Sequence, residues 1–262
     1  MSASSIEGRT ALVTGGGSGI GLATAALLAR EGALVAICGR TKEKLEAAVG
    51  EIGHGARCIT ADVTDEDQIA AAVAFAAEPA GRLDIVFANA GGSHHMGPIA
   101  DADLSAFRST VDVNLTGTFL TIKHAARQMR AQSPSGGAIV GMSSGAGHFP
   151  HRYLPIYGAS KAGIEMLCKY AAEEWGGDGV RVNVVQPGII ADELMAPITA
   201  GGKLLDDYRA NMPLSRVGSV DDVAAAVRYL VGPESSWITG VCLPVDGGHH
   251  LRRGANYGLL FE

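Results

Sequence analysis

Tyr157 and Lys161 stand four positions apart in Tyr157-Gly-Ala-Ser-Lys161, so on a helix they share one face, one turn from each other. A free phenol has a pKa of about 10, too high for proton transfer near neutrality, and a nearby ammonium lowers it by favouring the phenolate. The pair is therefore a candidate general acid–base that puts a proton on an oxygen or takes one away. Alone, the spacing is common, and a core tyrosine beside a surface lysine would account for it equally well.

A second signal lies near the start of the chain, in Thr14-Gly15-Gly16-Gly17-Ser18-Gly19-Ile20-Gly21. It follows a β-like run, Thr10–Thr14, and opens an Ala/Leu-rich stretch, Ile20–Arg30. Glycines in such a turn let the backbone bend sharply and bring N–H groups up to a diphosphate at the helix N-terminus. Gly15, Gly17, Ser18, Gly19 and Ile20 are thus candidate dinucleotide contacts; the alternative is an ordinary glycine-rich turn. A site selective for NAD carries an acid at the end of the second strand, on the ribose 2′-hydroxyl. Here Ala36-Ile37-Cys38-Gly39-Arg40-Thr41 has none. Arg40 suits a 2′-phosphate, with Thr41 adding a hydroxyl, so NADP(H) is preferred and NAD(H) is the alternative. Arg40 at a solvated helix start is the competing reading.

Alternating short apolar runs and longer helical ones must position these groups. Strands are expected at 33–38, 56–61, 83–88, 138–142, 180–186 and 241–245. Helices are expected at 42–49, 65–77, 156–175 and 219–230, with 103–130 mainly helical and breaking near Asn114. Thr64 or Asp65 suits the N-cap of its helix, and Ser219-x-x-Asp222 resembles a capping box. Such alternation implies parallel strands with helices on both faces.

Composition narrows the remaining classes. Of 262 residues, 47% are hydrophobic and 18% charged, which suits a buried core. A net charge of -6 without a basic block argues against nucleic-acid binding. The four cysteines are far apart and match no zinc spacing, as expected of reduced thiols in a cytoplasmic protein. The first residues carry no apolar leader, and no uninterrupted apolar run of about 18 residues suggests a membrane span. His94-His95, His148, His151 and His249-His250 show no metal-binding spacing. His148 and His151 fall between Ser144 and Tyr157, where they either touch substrate or sit in solvent.

With Asn89-Ala90-Gly91, Asn114, Ser144 and Pro187-Gly188 in order around the two signals, the chain resembles the short-chain dehydrogenase/reductase family, in its shorter single-domain branch. The match runs from Thr10 to Gly248. The resemblance implies a three-layer, doubly wound α/β Rossmann fold with a seven-stranded parallel sheet, order 3-2-1-4-5-6-7, over residues 1–262. It implies an oxidoreductase interconverting a carbonyl compound and a secondary alcohol; a non-catalytic dinucleotide sensor is the rival. Tyr157 then becomes the acid–base, and Lys161 lowers its pKa and binds the nicotinamide ribose. Ser144, thirteen positions before Tyr157, orients the substrate oxygen; the spacing of Ser143 fits less well. Asn114 holds a relay water, Asp62 and Val63 the adenine, and Asn89 and Gly91 the cofactor's ribose. Pro187, Gly188 and Ile190 form the nicotinamide turn. Asp192 departs from the pattern, for members often carry Thr there, and an ionised Asp accepts hydrogen bonds without donating them.

Gly188–Pro213 shows no clear period, and about 189–213 is expected to form a substrate lid. Its Leu194, Met195, Ile198 and Met212 suggest an apolar wall, and its acids disfavour an anionic acyl-carrier thioester. A lipid, steroid-like or other neutral carbonyl compound fits better. The family resemblance implies a homotetramer, or a dimer, packed through 122–129 and 162–172. The tail, 249–262, either reaches a neighbouring subunit or is loose.

Overall fold

Runs such as Thr10-Ala-Leu-Val-Thr14 and Val180-Arg-Val-Asn-Val-Val fold as strands because β-branched side chains fit a pleated surface that is covered on both sides. The computed structural model describes residues 5–193 and 195–260; Leu194, named above for the pocket wall, and the last two residues of the tail, Phe261 and Glu262, lie outside them. In chain order the elements are β1 (Thr10–Thr14), α1 (Gly19–Arg30), β2 (Leu34–Gly39), α2 (Lys42–Ile52), β3 (Arg57–Thr60), α3 (Glu66–Ala77) and β4 (Ile85–Ala88). There follow α4 (Leu104–Val111), a π-helical turn (Asp112–Thr116), α5 (Gly117–Ala131), β5 (Gly137–Met142), α6 (Gly145–His148) and α7 (Pro155–Trp175). The last group is β6 (Val180–Pro187), β7 (Ile190–Ala191), α8 (Ala196–Thr199), α9 (Lys203–Asn211), β8 (Gly218–Ser219), α10 (Val220–Val231) and β9 (Cys242–Val245).

Seven strands form one parallel sheet in the order β3-β2-β1-β4-β5-β6-β9, which is the expected order with β9 as the seventh strand. The two-residue strands β7 and β8 pair separately. Side chains alternate across the pleat, so each strand feeds two cores. Ala11, Val13, Val35, Ile37, Ile85 and Phe87 pack on one face with Leu28, Leu45 and Val227 from α1, α2 and α10. Leu12, Ala36, Val86 and Ile139 pack on the other with Val73, Ile122 and Ile164 from α3, α5 and α7. The result is a doubly wound, three-layer α/β fold. The order reverses between β1 and β4, which opens a crevice at the carboxyl edge of the sheet.

Both cap expectations are met. Asp65 Oδ1 accepts from Gln68 N at 3.0 Å, and Ser219 with Asp222 forms a reciprocal capping box. Three expectations are corrected. The chain does not break near Asn114; it widens into a π turn between α4 and α5. The segment after Gly188 is not periodless coil, because Leu204, Leu205, Tyr208 and Met212 bury one side of α9 and its end. Intervening acids mask that face in the sequence. Nor is the tail loose: Ala255 and Tyr257 are buried in the same cluster, and Arg152 N donates to Ala255 O at 3.1 Å. Among the described residues no helix is long and apolar enough to cross a membrane.

Candidate active site

The carboxyl ends of β1, β2, β4, β5 and β6 bring the sequence-selected residues to one edge of the sheet. At β1 the glycine loop is shaped largely by the protein itself. Gly15 has φ +65°, and a Cβ there would lie 2.9 Å from Asn89 Nδ2; one on Gly21 would lie 2.3 Å from Gly15 O. Asn89 clamps the turn from β4, its Nδ2 donating to Thr14 O at 3.0 Å and Gly15 O at 3.2 Å. Thr14 Oγ1, which the sequence did not single out, returns the contact by accepting from Asn89 N and Ala90 N.

Gly17 differs: the nearest atom to a Cβ there is 3.6 Å away, so nothing in the protein forbids a side chain. Ser18 opens α1 without a side-chain cap, and no acid sits in the first turn. The helix therefore presents uncapped amides, with the positive end of its dipole, beside a bare backbone. This is a donor set that fits a diphosphate. At the end of β2, Arg40 and Thr41 are exposed, and no ion pair holds Arg40 among the described residues. Thr41 is the N-cap of α2 without a side-chain bond. Asp62 instead turns its carboxylate to Thr64, accepting from N at 2.9 Å and Oγ1 at 2.8 Å, while Val63 is buried against Ile69 and Leu120.

Asn114 sits in the π turn, fully buried. Its Nδ2 donates to Thr110 O at 2.8 Å and Gly92 O at 2.6 Å, and its Oδ1 accepts from Gly92 N at 3.1 Å. With both amide hydrogens committed to backbone, the carboxamide fixes the segment leaving β4. A Cβ on Gly91 would lie 2.4 Å from Asn114 Oδ1 and 3.1 Å from Lys161 Nζ, so only glycine fits between them.

β5 ends in two serines with different surroundings. Ser143 is buried and donates to Glu165 Oε1 at 2.7 Å, which also accepts from Gln186 Nε2 at 2.7 Å. Ser144 faces the cleft: its Oγ accepts from Ala146 N at 3.2 Å and hydrogen-bonds the Tyr157 hydroxyl. That bond favours the phenolate, as a bond donated by the Ser144 O–H would. Burial opposes it, and with the charges of Tyr257 and Asp192 holds Tyr157 up at about 12.

Lys161 is 2% exposed, donates to Met142 O at 2.9 Å, and places its Nζ 5.5 Å from the Tyr157 ring centroid. Burial lowers its pKa from 10.5 to about 7. The lysine is itself drawn toward neutrality and is bound to a carbonyl. Pro187, at the end of β6, and Ile190, in β7, are buried, and Gly188 N donates to Val245 O at 3.1 Å. A Cβ on Gly188 would meet Asp246 Cβ at 2.8 Å.

Across the cleft, Leu154, Ile189, Tyr208, Met212 and Tyr257 form an apolar cluster, with Tyr157, Met195 and Ile198 packed on it. Tyr208 and Tyr257 join hydroxyls at 3.0 Å. His151 is buried there rather than solvated; neither ring nitrogen has a partner, and burial with His249 lowers its pKa to about 4. His148 is exposed. Sequence reasoning missed Tyr208, Tyr257 and His249 because they come from the lid helix and the tail, which meet only in the folded chain.

A family model described as Enoyl-(Acyl carrier protein) reductase matches residues 15–250. A cis-4-hydroxycyclohexanecarboxylate dehydrogenase of Sinomonas cyclohexanicum is 39% identical over 247 residues, 92% of this chain and 96% of that protein. A D-threitol dehydrogenase of Mycolicibacterium smegmatis is 35% identical, covering 94% of this chain and 95% of its own. A solved short-chain type dehydrogenase/reductase from Mycobacterium ulcerans superposes with a TM-score of 0.95 at 43% identity, over 98% of this chain and 95% of the other.

Proposed function

The chain belongs to the short-chain dehydrogenase/reductase family, and on that premise we propose that it interconverts a neutral secondary alcohol and its ketone with NADP(H), through Ser144 and Tyr157. Membership makes it an NAD(P)-dependent dehydrogenase acting on CH–OH groups. The observation that carries the finer reading is the convergence of Ser144, Tyr157 and Lys161 at the sheet edge beside the glycine loop, with the Lys161 ammonium 5.5 Å from the Tyr157 ring centroid.

A nicotinamide dinucleotide, when bound, supplies the acceptor or donor of the hydride. In this reading Gly15, Gly17, Ser18, Gly19 and Ile20 hold its diphosphate, and Arg40 with Thr41 takes the 2′-phosphate. Asp62 and Val63 bound the adenine; Asn89, Gly91 and Lys161 the ribose; Pro187, Gly188 and Ile190 the nicotinamide end. The exposed Arg40, with no ion pair among the described residues, supports NADP(H), since pairing it with a phosphate breaks no contact seen there.

With one lone pair engaged by Ala146 N–H, the Ser144 hydroxyl turns its one hydrogen from Tyr157 to the substrate oxygen, which it orients beside Tyr157. Tyr157 keeps its proton at neutral pH and delivers it to the oxygen during reduction. Oxidation requires the phenolate. Asn114 acts by holding the β4 exit, and so the Gly91 backbone, against Lys161.

The wall of Leu154, Ile189, Tyr208 and Met212 supports a substrate with an apolar body that carries a hydroxyl; the relatives named for hydroxycyclohexanecarboxylate and threitol share only the hydroxyl. In this reading the whole chain is one dinucleotide-binding domain with residues 189–213 as its lid. A homotetramer, or a dimer, is supported by Phe119, Met166 and Tyr170, exposed on α5 and α7, and light scattering on the purified protein tests it. Four free cysteines fit a cytoplasmic setting. A panel of cyclic and acyclic secondary alcohols with NADP+ and NAD+, followed by nicotinamide absorbance, tests the function. Turnover of several with NADP+ is expected, and none with either cofactor refutes it.

A further inference from the structure

Asp192 stands five positions after Pro187, where the family pattern leads one to expect Thr, and the proposed mechanism gives it no task. Its place in the fold is specific. Oδ2 lies 3.2 Å from where a Cβ on Gly19 would stand, and Gly19 itself has φ +52°. Only glycine lets the carboxylate come so close to the start of α1. Oδ1 accepts from Met195 N at 2.8 Å, tying the same side chain to the residue that precedes α8. The backbone just before it is anchored by pairing of Ile190 and Ala191 with Gly218 and Ser219.

An open groove of about 950 Å³ runs beside this contact, with Gly17, Ser18 and Gly19 on one wall and Asp192 and Glu193 on another. Arg30, Lys44, Glu51 and Asp221 are the other charged groups that line it.

We propose that Asp192 is an electrostatic latch between lid and glycine loop, which competes with the dinucleotide's diphosphate for the amino end of α1. The proposal rests on the reading of the glycine loop as the diphosphate site. The uncapped amides of α1 attract anions, and among the acids that line the groove the Asp192 carboxylate is the one that reaches Gly19. When a diphosphate takes that place, two like charges meet within a few ångströms, and the carboxylate must swing away with the lid segment it holds. Nucleotide binding is weakened and release is hastened, a step that limits turnover in many enzymes. Asp192 is a positioning residue, not a catalytic one. Its negative charge also reaches Tyr157 and raises its pKa, which places it between the two working parts of the cleft.

Asp192→Asn keeps an oxygen for Met195 N and removes the charge, so it separates electrostatics from structure. Fluorescence titration of the full chain with NADPH and with NADH should show the Kd of both falling about fivefold at low ionic strength, with the gain shrinking as salt is added. Stopped-flow displacement should show release slowing by a similar factor. The pH profile of alcohol oxidation should move to lower pH. Asp192→Thr, checked for an unchanged melting temperature, should behave the same way. An unchanged or weaker Kd in both variants, with the wild type still binding nucleotide, overturns the latch and leaves the proposed function standing. Failure of the wild type to bind either nucleotide overturns both.

Discussion

At the glycine loop the backbone itself makes the binding surface, bent by glycines and clamped by Asn89 and Thr14, with its amides left open at the start of α1. On the other side of the cleft the surface is made of side chains from the 145–154 segment, α9 and the tail, packed around Tyr157. The first surface is local: one strand, one turn and one helix carry nearly all of it. The second is assembled from segments distant in sequence, Tyr208 and Tyr257 alone being 49 positions apart. A local surface tolerates change elsewhere in the chain, whereas an assembled one responds to every segment that contributes.

The largest effect expected separates chemistry from binding. Tyr157→Phe should reduce kcat by about 10²–10⁴-fold while NADPH still binds by fluorescence titration; retained turnover would remove Tyr157 from its role. In the wild type, burial keeps the phenol protonated up to about 12. Alcohol oxidation should therefore accelerate toward alkaline pH, and ketone reduction should not.

On the local surface, Arg40→Ala should raise the Kd for NADPH by about 10- to 100-fold, the worth of a charge-assisted pair to phosphate. The Kd for NADH should stay where it was. Equal losses for both cofactors would contradict the assignment of Arg40 to the 2′-phosphate.

The assembled surface should show itself in stability. His151 is held near 4, below its ordinary 6.5, so the unfolded chain takes up a proton that the folded chain refuses. The stabilisation is complete above about pH 6.5 and is lost as pH falls toward 4, up to about 3 kcal/mol. Urea unfolding at several pH values should give that slope, and His151→Phe should flatten it. Smallest of all, Tyr208→Phe breaks the hydroxyl pair with Tyr257 and should cost about 1 kcal/mol. A result of zero would mean the tail is not held through that bond.

Much of the molecule was legible in the chain. Alternation gave the seven strands in order, because parallel strands covered on both faces read as short apolar runs. The caps at Asp65 and Ser219 were legible because capping is a local bond between residues three apart. The π turn around Asn114 was not, since the residues there read as helix and only the bonds to Gly92 and Thr110 show why it widens. α9 escaped notice because Asp206, Asp207 and Arg209 interrupt its apolar face.

By its sequence alone this protein determined its family, its glycine loop, and the candidates Tyr157, Lys161, Ser144 and Asn114, because each belongs to a short pattern with a local physical meaning. The tertiary structure decided what holds the neighbouring Ser143 away from the cleft: its hydroxyl donates to Glu165, which Gln186 binds in turn. The protonation of the acid–base pair was decided there too: spacing placed Lys161 beside Tyr157, but burial set one near 7 and the other near 12. Desolvation depends on everything that packs around a group, and no spacing along the chain records it.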